Sequence, residues 1–515
     1  MNPKRLVALV LAAVMLLAAV PAFAETEAEP VYGGTLNVLG YEFATFFTPH
    51  STTTSDRFNV APAIEALGRV DPESGEMTPW LAEEFVTDAE NLTFTIKLRQ
   101  GIKFSDGSDF NADSVIWNFD KMVEFGKASE LVSPASYEKT DDYTVVMHFD
   151  TWANTWADTI GEVRIYCPAA YEANGENWAA IHAVGTGPFV MKEFVQDSHI
   201  SYVKNENYWV EGLPYLDAIE IKIIPDSTTQ ISAFINKEVD VLRGANTAVI
   251  NQLNQRYENI ALDAPNLANI TYIMFCSGDS ASPFADVKVR QAVMHAVDWD
   301  TMTDGVYEGL GRSTPLFAVP GSWAYDASVE QYSYDPELAK TMLAEAGYPN
   351  GFDTTITINN EKPSNNNCAI ILQSYLQAIG VNAEIKMLTN ADFNAQKAEG
   401  TYDLGIMINA GASKLDFTAN YIRLYSTEGV NYKKMLAKPA DYEEALFGAR
   451  AAKSLDEKKE LLQKAARLLS HDYALVVAAA YLPAYCYVQE GVHGTGVYST
   501  SEEVWTPETA WKEAK

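Results

Sequence analysis

Cysteine is scarce: the chain has four, Cys167, Cys276, Cys368 and Cys486, with no CxxC pair among them. That usage excludes a disulfide framework and a zinc site built on paired thiols, and buried, unpaired thiols fit it better than a bridge. Catalytic signatures are missing as well. There is no GxSxG elbow and no HExxH, and the seven histidines are scattered, so no motif recommends a hydrolase. Basic residues are few, 37 against 69 acidic, for a formal charge of −32. So negative a balance makes nucleic acid a poor partner. The acids are dispersed, as on a solvated surface, and a local basic pocket is compatible with them. Long apolar runs are absent beyond one at the N-terminus, so nothing else suggests a membrane span.

What is present begins with that run. Lys4 and Arg5 precede an apolar stretch from Leu6 to Val20, followed by Pro21, Ala22, Phe23 and Ala24. This is the layout of a secretory signal, with small residues placed for cleavage before Glu25. The stretch is shorter than the roughly 20 residues that span a bilayer, which argues against a permanent anchor. No cysteine lies near the cleavage position, so a lipid-modified N-terminus is not expected. The expected product is a free periplasmic or secreted chain. The leader removes two basic residues and no acid, leaving a formal charge of −34.

A chain of this length exceeds one ordinary domain, and its 47% hydrophobic content is ample for packed cores. The pattern from Thr35 onward alternates short β-rich runs with helical stretches, an α/β signature. Asn91 to Leu98 alternates polar and apolar residues as a half-buried strand does, and Ser105-Asp106-Gly107 supplies turn chemistry. Asn111 or Asp113 is placed to cap the helix that follows. The run Ile219 to Ile224, a helix through Thr229 to Lys237 and then Val239 to Leu242 fit a βαβ unit. Further on, a strand from Ile270 to Phe275 and a helix from Val287 open a second large unit. It continues with a helix from Pro336 to Ala346, stopped by Gly347, and a strand–helix–strand series at Thr354 to Ile358, Cys368 to Ile379 and Asn382 to Met387. A helix from Glu457 to Ser470 closes it. Ala474 to Val488 then leads back toward the first unit, and two crossings between two units make a hinge.

Five segments together resemble a known family. They are LTFTIKLRQGIKFSDGSDFNADSVIWNF at Leu92 to Phe119, GTGPF at Gly185 to Phe189, and NENYW with LPYLDAIEIKIIPD between Asn205 and Asp226. PFADVKVRQAVMHAVD at Pro283 to Asp298 and YDPELAKTMLAEAGYPNGF at Tyr334 to Phe352 complete the set. In this order they are similar to the family 5 extracellular solute-binding proteins, the peptide- and nickel-binding proteins of ABC importers, over nearly the whole mature chain. Read without the family, Lys97, Arg99 and Lys103 are surface charges, and Gly185 and Gly187 permit unusual backbone angles. Arg290 anchors packing or an acidic partner in preference to a ligand.

The resemblance implies the large two-lobed periplasmic-binding-protein fold of the peptide-binding, cluster C type, with an inserted subdomain and a two-strand hinge. On it, residues 1–24 are the signal peptide, and residues 31–68, 183–268 and 489–515 form a discontinuous first lobe. Residues 69–182 are the insertion and 269–488 the second lobe.

It also implies ligand contacts. The loop after the first strand lines the cleft in relatives, which points to Tyr41, Glu42 and Phe43; the competing reading is that the neighbouring Phe46 and Phe47 fill the core beneath. The segment from Asn409 through Gly411 to Asp416 and Phe417 resembles the stretch where peptide-binding relatives place a glycine, a tryptophan and then an aspartate for the ligand's amino group, with Asp416 the nearest match. The tryptophan is missing here, and Asp416 serves equally as a helix cap. Arg164, in VRIYCP, falls where nickel-chelate-binding relatives carry an arginine that grips a carboxylate; a surface arginine is the alternative.

The function implied is capture of a small solute, a di- or oligopeptide by default, between two closing lobes and its delivery to permease subunits. A metal chelate such as nickel, or another small carboxylate compound, is the second expectation, and docking on a chemoreceptor is a third use of the same closure. No cofactor and no resident metal are expected. The membrane is reached only through the transporter, and a monomer is expected.

Overall fold

The computed structural model describes residues 29–40, 54–71, 76–127, 131–244, 246–257, 260–262, 268–399, 402–429, 431–432, 434–497 and 505–513. The expected signal peptide and Tyr41, Glu42 and Phe43 lie outside the described residues. Among the described residues no helix is long and apolar enough to cross a membrane.

Two large sheets organise the molecule. The first has seven strands in the order 260–262, 484–488, 241–243, 35–39, 218–222, 199–204 and 189–195. Thr35–Leu39 sits at its centre, parallel to both Ala218–Lys222 and Val241–Arg243. The expected βαβ unit is therefore split: the chain leaves Lys222, forms the helix Ser227–Ile235 and returns as Val241–Arg243 on the far side of Thr35–Leu39. Central placement explains why Leu36 and Val38 are wholly buried, as residues flanked by strands on both edges must be.

The second sheet has five strands in the order 381–388, 352–359, 406–412, 269–275 and 476–482. Its strand–helix–strand series matches the periodicity closely, with the helix Pro363–Ala378 crossing between two parallel strands. Helix Pro336–Glu345 ends where Gly347 takes a φ of +94°, the left-handed stop expected from its sequence. Separate apolar clusters cover the two faces of this sheet.

A four-stranded antiparallel sheet, in the order 82–88, 93–98, 144–148 and 136–141, forms the insertion. Its core is continuous with that of the first sheet, since Phe94, Ile96 and Val145 belong to the same buried cluster as Leu36 and Val38. Asn111 caps helix Ala112–Glu124 in a reciprocal arrangement with Ser114. Asp106 accepts from the Ser108 amide across the predicted turn.

Gly185 and Gly187 serve a different purpose from the one expected. Neither has a positive φ. Instead, a Cβ on Gly185 would stand 2.3 Å from the Ala63 carbonyl oxygen, and one on Gly187 2.6 Å from that of Pro62. The segment lies flat on the backbone of 62–64, where Gly187 and Phe189 donate to Ala63 and Pro62. Beside it, buried Glu65 accepts from Trp80, Tyr208, Trp209 and Thr186. Arg290 is a packing residue whose partners are carbonyls: its guanidinium donates to Phe284, Ala285 and Tyr473. Burial pushes its pKa down to about 10.

The chain passes between the two large sheets twice. Strand 260–262 of the first precedes Asn269–Phe275 of the second, and Val476–Leu482 of the second precedes Ala484–Val488 of the first. A single proline, Pro483, separates the last two.

Candidate ligand-binding site

A polar cavity of about 370 Å³ opens at one end of the second sheet. Strand Ile406–Ala412 forms its floor through Asn409, Ala410 and Gly411, with Tyr272 and Phe317 beside them. This end of the sheet is the hinge end. Asn269 pairs there with both Ala412 and Leu482, so the strands that lead to the two crossings begin and finish beside the floor. The cavity therefore lies at the same end of the sheet as the strand ends from which both crossings depart.

Asn409 is fixed by its neighbours. Its side-chain amide donates to the Tyr272 hydroxyl at 3.2 Å and toward that of Tyr432 at 3.5 Å. Burial pushes the Tyr272 phenol up and that of Tyr432 well above its ordinary range, so both remain neutral hydrogen-bonding groups. Gly411 lies next to Tyr272, and a methyl added there would meet the tyrosine ring at an ordinary 3.7 Å. Its small size keeps the floor open and is not required by the backbone.

Four cations line the cavity: Lys362, Lys397, Lys414 and Arg423. They come from the start of helix Pro363–Ala378, from helix Asn390–Glu399, from the loop after the floor strand and from helix Thr418–Tyr425. Among the described residues no aspartate or glutamate shares the lining. Lys362 donates to the Ala410 carbonyl at 2.5 Å. Burial lowers its pKa, and the charge of Lys397 lowers it further. Lys397 is lowered in turn by burial and by Arg423.

Of the residues singled out in the sequence, the structure brings Asn409 and Gly411 into this cavity. Asp416 points elsewhere. Its carboxylate meets the Lys458 ammonium at 2.5 Å and accepts from the Thr418 amide at 2.8 Å, so an ion pair and one bond to the first helical amide account for it, while the N-cap position itself belongs to Phe417. Arg164 sits in the insertion, where its backbone bridges to Ala66, and it lines neither this cavity nor the one beside Lys458. The four cations escaped the sequence reading because each is a lone residue in its own element. The asparagine-rich stretch around Glu361-Lys362-Pro363, unusual at a strand–helix junction, was the one local signal.

A second cavity, of about 330 Å³, lies between the insertion and the second unit, walled by Trp152, Trp156, Trp323 and Lys458. Asn154 donates from its side chain to the carbonyls of Ala449 and Ala452, and Trp152 to that of Ala451. Together they satisfy carbonyls at the C-terminal end of helix Ala440–Ala451 that would otherwise lack partners. Among the described residues no cluster of His, Cys, Asp and Glu is arranged to hold a metal.

Comparison with known proteins gives a consistent picture. The family described as "Bacterial extracellular solute-binding proteins, family 5 Middle" matches residues 76–432. A heme-binding protein A from Haemophilus influenzae is 29% identical over 440 residues, covering 79% of each chain. A dipeptide-binding protein from Escherichia coli K12 is 28% identical over 480 residues, 86% of this chain and 88% of the relative. Among solved structures, an ABC transporter-associated periplasmic binding protein from Helicobacter pylori in complex with the peptide STSA superposes with a TM-score of 0.76. It covers 94% of this chain and 99% of that one at 22% identity, which is a likeness of fold.

Proposed function

This chain belongs to the bacterial extracellular solute-binding proteins of family 5, non-catalytic substrate-binding components of ABC importers, and from that premise we propose how it takes its solute. The solute enters between the two large sheets, rests on the floor formed by Asn409 and Gly411, and is enclosed when the first lobe swings over it. The observation that carries this reading is the position of the cavity at the hinge end of the second sheet, beside the strands that lead to both crossings. A ligand in that place touches both units only when they close, and contact with both is what makes binding favour closure.

On this reading the first lobe comprises residues 31–68, 183–268 and 484–515, since Ala484–Val488 pairs with the first sheet; the insertion is 69–182 and the second lobe 269–483. The protein acts after removal of its leader, outside the cytoplasm, as a monomer that presents the closed form to the permease. Peptide capture through Asp416 has little support, because Lys458 already holds that carboxylate. The carboxylate-bearing class of solute is favoured instead.

The reading is tested by stripping the mature protein of co-purified ligand through unfolding and refolding, then screening solutes by thermal shift, since a ligand that binds only the folded state raises the midpoint. A hit is taken to small-angle scattering and hydrogen exchange. Compaction, with new protection over 406–412, is the expected result. A solute that binds tightly while leaving both unchanged would sink the proposal.

A further inference from the structure

Building on that reading of the hinge-end cavity, we infer that its solute is a compact polycarboxylate carrying at least two acidic groups. The mature chain carries a formal charge of −34, yet among the described residues that line this cavity four are cations and none is an acid. A random patch of so acidic a surface would show the opposite balance. Among the described residues, no carboxylate stands within ion-pair distance of Lys362, Lys397, Lys414 or Arg423, although ion pairs are common elsewhere on the molecule.

The cations also work against one another. Lys397 disfavours the charge on Lys362, and Arg423 disfavours that on Lys397, in each case on top of partial burial. Like charges gathered in a half-buried space raise the free energy of the empty protein. An anion placed among them relieves desolvation and repulsion together, and charge-assisted hydrogen bonds to ammonium and guanidinium are among the stronger polar contacts available. One carboxylate has two oxygens and one negative charge, too little to answer three mutually repelling cations and a fourth beside them. Two or more acidic groups on a small frame match both the charge and the roughly 370 Å³ of space. The amides contribute direction. Asn390 accepts from Asn359 and from Asn394, so the amide acceptor of Asn390 is used internally and its N–H groups remain for an anion.

The test uses the mature, refolded protein and isothermal titration with succinate, glutarate and citrate, against butyrate, dialanine and dilysine. Citrate and a dicarboxylate should bind at least tenfold more tightly than butyrate. Lys397→Gln and Arg423→Gln should each weaken them about tenfold or more, with melting midpoints near that of the parent, and added sodium chloride should weaken them further. Binding of dialanine or dilysine in preference to the polycarboxylates, unchanged by these two variants, would overturn the inference while leaving capture at the hinge intact. Failure of every polycarboxylate to bind would overturn it as well. The underlying site fails separately: any solute whose affinity is untouched by Asn409→Ala and by Gly411→Val binds somewhere else.

Discussion

The Lys458 ammonium holds the Asp416 carboxylate at 2.5 Å, and Asp158 of the insertion stands 4.0 Å from the same nitrogen. Asp416 and Lys458 are both in the second unit, so the ion pair locks that unit internally while the weaker contact reaches across to the insertion. Lys458 is 5% exposed, and its removal strands two carboxylates. Lys458→Met is expected to cost about 3 kcal/mol, the lower end of the range for breaking a buried pair. Urea denaturation measures it. A loss under about 1 kcal/mol would show that the two carboxylates are solvated without the lysine.

Asp158 makes the same contact sensitive to pH. Burial pushes its pKa up to about 7 against the pull of Lys458, and Asp416, Glu162 and Glu76 push in the same direction as burial. A carboxyl with a raised folded-state value binds its proton more tightly in the folded protein. Its contribution to stability is therefore full below the ordinary value near 4 and is lost as pH rises toward 7. The side chain is 40% exposed, so solvent screening reduces the amplitude. Asp158→Asn should flatten the change in melting midpoint between pH 4 and 7.5 and leave the variant the more stable at the upper end. A parallel pH profile for parent and variant would exclude Asp158 as the source.

Glu65 is the clearest case of a buried acid with every oxygen occupied. Two indole N–H groups, two hydroxyls and Arg69 converge on it, and burial raises its pKa despite them. Glu65→Ala strands those donors and unpairs one side of Arg69, for an expected loss of about 3–5 kcal/mol. Glu65→Gln keeps one acceptor oxygen and should cost roughly half as much. Chemical denaturation of both variants checks the ordering, and equal losses would mean that the full carboxylate, with both acceptor oxygens and its charge, is what matters there, since glutamine keeps the packing volume.

Much of the scaffold was legible because its signals are local. Alternation in Asn91 to Leu98, the cap at Asn111 and the glycine after helix Pro336–Glu345 each depend on residues a few positions apart. The late apolar run resisted reading for the opposite reason. Ala474 to Val488 is nearly uniform in hydropathy, and only Pro483 marks where it leaves one sheet for the other. The candidate cavity was legible only in part. Asn409 and Gly411, singled out on one contiguous segment, lie in its lining, whereas Lys362, Lys397, Lys414 and Arg423 meet only after four elements pack together. Asp416 was misdirected because its partner, Lys458, lies on a helix remote in sequence.

Glycines at three positions give contrasting expectations that separate scaffold from site. At Gly185 and Gly187 an added methyl would run into the backbone oxygens of Ala63 and Pro62 at 2.3 and 2.6 Å, and backbone held by its own hydrogen bonds has little room to retreat. Gly185→Ala and Gly187→Ala should each destabilise the fold by about 1–3 kcal/mol through overpacking. Gly411→Ala meets only the edge of Tyr272 at 3.7 Å with no positive φ to strain, so its melting midpoint should stay within about a degree of the parent, as for a substitution worth a few tenths of a kcal/mol. The added methyl nevertheless stands on the cavity floor, in the space assigned to the solute. Solute affinity should therefore fall at Gly411→Ala without loss of stability, while the other two lose stability first. Thermal melts with and without saturating ligand read both quantities in one experiment. A Gly411→Ala protein that binds as the parent does would move the solute off the floor strand and toward the helices that carry the cations.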